Sequence, residues 1–248
     1  MKFFFKPKQK PSFFSSPFIP WLILGLVFFL SSGLVLKVFA ERFGTSRTVS
    51  HQLVYSVPFY PQAPLGEWDD PRQEDGCEEA SLLMAMDWVR GARLDWKAAR
   101  DAIIALSEYE KKEYGYYRDT SVFDTTQLLL DYFYHRNFEY HQNVTAAMII
   151  SHIKNGHLVI VPINGQKLNN PHFRRPGPLE HMLVIIGYDF ITHEFVTNDP
   201  GTKYGAGYRY PDSLLEDSIE DYRTGYREKI DIQAKTMIVI KPELSVMR

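Results

Sequence analysis

One cysteine, Cys77, lies in the stretch PRQEDGCEEASLLMAMDWVRG (Pro71 to Gly91), where an acidic, glycine-containing run turns into a helical pattern. Ala80, Leu83, Met84 and Trp88 recur with near-helical spacing, and Gly91 suits the position just past a helix end. The first amides of a helix have no partners within it and carry a partial positive charge. A thiol placed there is expected to ionise more readily, which is what a nucleophile needs. Glu78 and Glu79 oppose a nearby thiolate unless they point away. The bland alternative for a free cysteine is a small, buried, inert side chain.

A thiol nucleophile needs a base and a group that orients the base. Of the eight histidines, His135, His141, His152, His157 and His193 fall on helix faces, strand starts or a turn and read as surface or packing residues. His51 falls in a polar stalk and His172 in the long loop NGQKLNNPHFRRPGPLE. His181 differs, because it opens the strand HMLVIIGY directly after that loop. The chain turns near residue 190 and returns through EFVTND (Glu194 to Asp199). A hairpin centred there pairs position 181 with position 199, so Asp199 or Asn198 can reach the imidazole, depending on register. In NDPG, Pro200 ends the ladder and Gly201 permits the turn; capping of that turn is the alternative role for Asn198 and Asp199. An oxyanion formed at a substrate carbonyl would find the Cys77 amide and a glutamine side chain as donors. Gln73, four residues upstream, and Gln62, fifteen upstream, both qualify, and spacing does not choose between them.

The elements that must position these groups form two blocks. Helices are expected first: from Cys77 to Arg90, from Asp95 to about Lys111, from Asp124 to His135 and from Thr145 to Asn155. Strands follow at His157 to Ile163, His181 to Tyr188, Glu194 to Asp199 and Thr236 to Lys241, with a short helix from Pro211 to about Tyr222. Leu53 to Tyr60 reads as a further strand at the start. This is an α+β pattern, helical part first and antiparallel sheet second. Loops as long as Asn164 to Glu180 are often lids or binding loops.

Ahead of this region, Lys2, Lys6, Lys8 and Lys10 precede FIPWLILGLVFFLSSGLVL (Phe18 to Leu36), an uncharged run long enough to cross a bilayer. The expected organisation is a basic cytoplasmic tail over 1–17, a transmembrane anchor over 18–40, a stalk over 41–52 and a catalytic-type domain over 53–248 outside the cytoplasm. A cleaved signal peptide, ending at Val38 to Ala40, is the competing reading. The near-neutral balance of −2 and the lack of a basic stripe argue against a nucleic-acid partner. One cysteine builds no internal disulfide.

Taken together, VPFYPQAP, GCEEASLLMA, LVIVPINGQKL, EHMLVIIGYD and NDPGTKYGAGY, spread over Val57 to Tyr210, resemble the bacterial C39-like cysteine peptidases of the papain-like superfamily. The resemblance implies a papain-like fold, with the cysteine on the helical part and the histidine and aspartate on the sheet. It also implies a Cys77–His181–Asp199 triad served by an upstream glutamine. The expectation is a membrane-anchored thiol hydrolase acting on a peptide or protein. A non-catalytic module binding peptides or cell-wall fragments on the same fold, and a cell-wall amidase, are the alternatives. No cofactor is expected. Without CxxC or HExxH there is no metal motif, and a site built from His172, His181 and Asp199 has little support. The chain contains no GxxxxGK[ST], so it carries no nucleotide-driven transporter module. The sequence does not speak to oligomeric state.

Overall fold

LVIVPI and HMLVIIGYD contain almost no polar alternation, and strands of that composition need cover on both faces. Both lie at the centre of a seven-stranded antiparallel sheet. The computed structural model describes residues 51–225 and 234–242. In chain order the elements are β1 (Gln52–Val54), α1 (Pro71–Glu74), α2 (Cys77–Arg90), α3 (Trp96–Glu113), α4 (Val122–Asp131), β2 (Phe138–Gln142) and α5 (Ala146–Lys154). These are followed by β3 (Leu158–Ile163), α6 (Gly165–Leu168), β4 (His181–Asp189), β5 (Glu194–Asn198), β6 (Tyr208–Pro211), α7 (Asp212–Ser218) and β7 (Thr236–Ile240). The strand order is β2-β7-β3-β4-β5-β6, with β1 paired to the far end of β4.

Alternate residues of the central strands feed two cores. Ile160, Met182, Val184 and Ile238 pack with the helical block that contains α2, α3 and α4. Val159, Leu183, Ile185 and Val239 pack beneath α5 and α7. Helix α2 is buried on nearly every side, which explains why its apolar pattern runs beyond one stripe.

The differences from the sequence reading have local causes. The expected strand from Leu53 to Tyr60 ends at Val54, and the carbonyls of Val57 and Pro58 accept instead from the Asn198 side chain at 3.4 and 3.1 Å. Helix α4 begins at Val122, because the Ser121 hydroxyl accepts from the Asp124 amide and caps it. Strands β2 and β6 are missing from the sequence reading. Both are edge strands, and β2 is only half-buried, so neither shows the apolar signal of a central strand. The apolar run 18–36, with the tail and nearly all of the stalk, lies outside the described residues. Among the described residues no helix is long and apolar enough to cross a membrane.

Candidate active site

Cys77 is the first residue of α2, capped by Gly76. A Cβ at Gly76 would lie 2.6 Å from the Arg72 carbonyl oxygen, so only glycine lets α1 and α2 approach this closely. One turn after Cys77, and therefore on the same helix face, Ser81 donates to the Met182 carbonyl at 3.3 Å. That bond fastens the cysteine-bearing helix to the residue next to His181.

His181, the first residue of β4, is bonded through Nε2 to Asp199 Oδ1 at 2.8 Å, and both side chains are buried. Burial alone would raise the Asp199 carboxyl. The neighbouring His181, the Tyr210 hydroxyl and the Gly201 amide outweigh it and hold the group below its ordinary value. An ionised carboxylate only accepts hydrogen bonds, so Nε2 carries a proton and Nδ1 is left as the basic nitrogen.

The pairing comes about differently from the simple hairpin. A bulge between Ile185 and Gly187 shifts the register, and Val184 lies opposite Asn198. Continued one step, this register places Leu183 across from Asp199. The carboxylate therefore reaches His181 diagonally from just beyond the end of β5.

The four residues of NDPG divide the work. Asn198 ties the 57–58 backbone to the hairpin through its Nδ2, and its Oδ1 accepts from the Gly207 amide at 3.1 Å. Asp199 holds His181. The Pro200 carbonyl accepts from the Gln62 amide at 2.9 Å. Gly201 donates to Asp199 Oδ1 at 3.0 Å, and a Cβ there would come within 2.9 Å of the His181 ring.

This arrangement separates the paired candidates. Asn198 makes structural contacts and Asp199 the imidazole contact. Gln62 lines the same cavity as Cys77 and His181, a space of about 1420 Å³. Its Nε2 donates to the Glu74 carbonyl at 2.6 Å. Gln73 is fully buried, bonded to Glu67 at 3.2 Å, and is not part of that cavity wall. His172 lines the cavity too, but its ring leans on Tyr204, 4.8 Å between centroids and tilted by 38°.

Other residues complete the site and left no recognisable mark in the sequence. Tyr210 donates to Asp199 Oδ2 at 2.6 Å, and Asn170 bonds the Tyr210 hydroxyl at 2.7 Å. Phe173 packs edge-on against the His181 ring at 5.4 Å. Asn170 and Phe173 come from the long loop preceding His181, so its length has a use.

The thiol is not in the state that a helix start alone would give. Cys77 Sγ donates to Glu78 Oε2 at 3.1 Å, and Tyr222 donates to Glu78 Oε1 at 2.5 Å. Burial pushes the Cys77 thiol well above its ordinary value, and the charges of Glu78, Asp119 and Glu79 push it further. Burial also raises Glu78, with Glu79 and Asp119 adding to the effect and Tyr222 and Cys77 partly offsetting it. Two anions at this separation in a dry site are unfavourable, so Cys77 and Glu78 hold at least one proton between them.

Deeper in the same core, Glu79 accepts from Ser107 at 2.7 Å, while Glu79 Oε2 and both Glu110 oxygens have no donor from outside this carboxyl pair. Such a pair is stable only if a proton sits on it. Burial raises Glu79 to about 7, with Ser107 and Glu110 offsetting part of the effect. A raised carboxyl contributes stability that is complete below its unfolded value of about 4.3 and is lost as pH rises through the folded value. The thermal midpoint is therefore expected to fall between about pH 4 and about pH 7, a loss on the order of 3 kcal/mol. The slope should flatten in Glu79→Gln, as read by scanning calorimetry. A flat wild-type profile contradicts a protonated Glu79. His152 and His157, held below their ordinary values by burial, act in the opposite sense at the acid end, and Glu78 and Glu110, raised by burial and by the Glu79 charge, act in the same sense, so Glu79→Gln reports the carboxyl together with its effect on these neighbours.

Residues 54–230 match the model of the Peptidase_C39 like family. The chain belongs to that family. Among solved structures, a crystal structure from Bacillus anthracis assigned to the C39-like peptidases superposes with a TM-score of 0.50 at 16% identity, covering 77% of this chain and 98% of the other. At that identity the likeness concerns the fold. No curated protein sequence matches the chain. The C39-like match begins at the end of β1 and takes in every group described above.

Proposed function

We propose that this C39-like domain is a thiol hydrolase, a cysteine peptidase in which Cys77 is the nucleophile, His181 the base and Asp199 the group that orients it. The observation that carries the reading is the buried His181–Asp199 pair at 2.8 Å, sharing one cavity wall with a cysteine at a helix start. His181 Nδ1 takes the thiol proton as Cys77 turns from Glu78 toward the imidazole, and Sγ attacks the scissile carbonyl carbon. The carbonyl oxygen, now negative, is held by the Cys77 amide and Gln62 Nε2. His181 returns the proton to the leaving amine, and water then cleaves the thioester. Gln73 supports α1 beneath the site.

The cavity rim carries Leu65, Trp68, Trp96 and Tyr204, large apolar side chains that stay exposed. They suit a peptide with bulky apolar residues near the scissile bond. The apolar run 18–36 behind four lysines supports a membrane anchor, which would present the domain outside the cytoplasm.

The second reading is a non-catalytic module that binds peptides in the same cavity, and the Cys77–Glu78 bond favours it, because it ties up the thiol. Turnover separates the two. A quenched fluorescent peptide library with apolar residues at its centre is expected to be cleaved by the purified chain, and Cys77→Ala is expected to abolish cleavage while retaining binding. Binding by both forms without cleavage by either would leave the module reading standing.

A further inference from the structure

Glu139 and His141 alternate on β2 and so face the same side of the sheet, the side covered by α5. His152 sits in the last turn of α5, and His157 immediately precedes β3. One ligand-capable atom from each of Glu139, His141 and His152 lies within 4.8 Å of the others. The His141 and His152 ring centroids are 5.1 Å apart, and His141 Nε2 is 3.0 Å from Glu139 Oε2. All three side chains are half-buried. The cluster lies on the face of the sheet opposite the core that holds Cys77.

We propose that Glu139, His141 and His152 form a binding site for a divalent transition-metal ion of the zinc class. Two imidazoles and a carboxylate are a donor set for such an ion, with bonds of about 2.0–2.2 Å and a fourth position for water. Tetrahedral neighbours at those bond lengths lie about 3.4 Å apart, so the three side chains need close only by about an ångström. His157 supplies the outer contact that orients a metal-binding histidine. Its Nδ1 is 3.2 Å from His152 Nδ1, which leaves His152 Nε2 for the ion. The C-terminal end of α5 carries partial negative charge toward this corner. One group competes: the Lys241 ammonium pairs with Glu139 Oε1 and must give way to the cation. Bound there, the ion joins the edge strand β2 to α5 and its following turn.

The test uses the purified full-length chain, stripped with chelator, titrated with zinc sulfate by calorimetry and with cobalt(II) by visible absorption. One equivalent of zinc and a tetrahedral cobalt spectrum are expected. His141→Ala and His152→Ala should each weaken binding by more than about 100-fold, and His157→Ala by about 10-fold. Lys241→Met should tighten it, a sign opposite to that of lost structural support. Glu139→Gln, which preserves volume, keeps the question open to measurement if an alanine variant fails to fold, and it too should bind weakly. Cys77→Ala should bind like wild type. Lack of stoichiometric zinc uptake overturns the proposal. So does unchanged binding in both His141→Ala and His152→Ala, or loss of binding in Cys77→Ala, which would place the ion in the catalytic cavity.

Discussion

Asp199→Asn is expected to lower kcat/KM by about 10³- to 10⁴-fold. The carboxylate accepts from His181 Nε2 and the Gly201 amide on Oδ1 and from Tyr210 on Oδ2. An amide in its place has two orientations, and both fail. With nitrogen toward His181 and Gly201, donor meets donor, and the imidazole must move its proton to Nδ1, where the base is needed. With oxygen toward His181, the tautomer survives, but no negative charge stabilises the imidazolium, and the amide nitrogen faces the Tyr210 hydroxyl. Tyr210→Phe removes one bond to a charged acceptor and should cost about 10- to 100-fold. The measurement is kcat/KM on a cleaved peptide, with iodoacetamide labelling of Cys77 as an independent readout. An Asp199→Asn enzyme within about tenfold of wild type would refute the orienting role.

Gln62→Ala is expected to reduce kcat by about 10²- to 10³-fold with KM nearly unchanged, the pattern of a donor that acts on the transition state. Gln62 is held from both sides: its amide bonds to Pro200, and its side chain to the Glu74 carbonyl. The side chain is thus fixed before substrate arrives and needs no reorganisation during attack. Gln73→Ala provides the contrast. It removes a buried side chain bonded to Glu67, so it should lower stability by about 1–3 kcal/mol and leave kcat within a few-fold. Equal losses of kcat in the two variants would contradict the assignment.

Particular residues show what the sequence made legible. The helix beginning at Cys77 and the strand beginning at His181 were readable, because periodicity and glycine placement mark them strongly. Asp199 was readable as a partner, though through a pairing that the bulge at Ile185 and Gly187 replaces with a diagonal one. That Gln62 and not Gln73 lines the cavity was not readable. It depends on the path of the 57–62 segment, which is fixed by Asn198 and Pro200 from more than a hundred residues away. Tyr210 sits in a four-residue edge strand, too short for periodicity to register. The state of the thiol was only half readable. Glu78 and Glu79 were visible as opposing charges, but their burial and the Tyr222 contact depend on tertiary packing.

The bulge in β4 also divides the hairpin into two independent lengths. Between it and the site, Val184 and Ile185 hold Asn198 and Thr197; beyond it, Gly187 to Asp189 hold Val196 to Glu194 in a shifted frame. A change of frame has already been absorbed once along this ladder, so residues added at the tip need not propagate to Asp199. The tip is open to solvent at Ile191. It is therefore a permissive point for grafting a reporter or capture peptide, a handle on the domain at the far end of the strand from its chemistry.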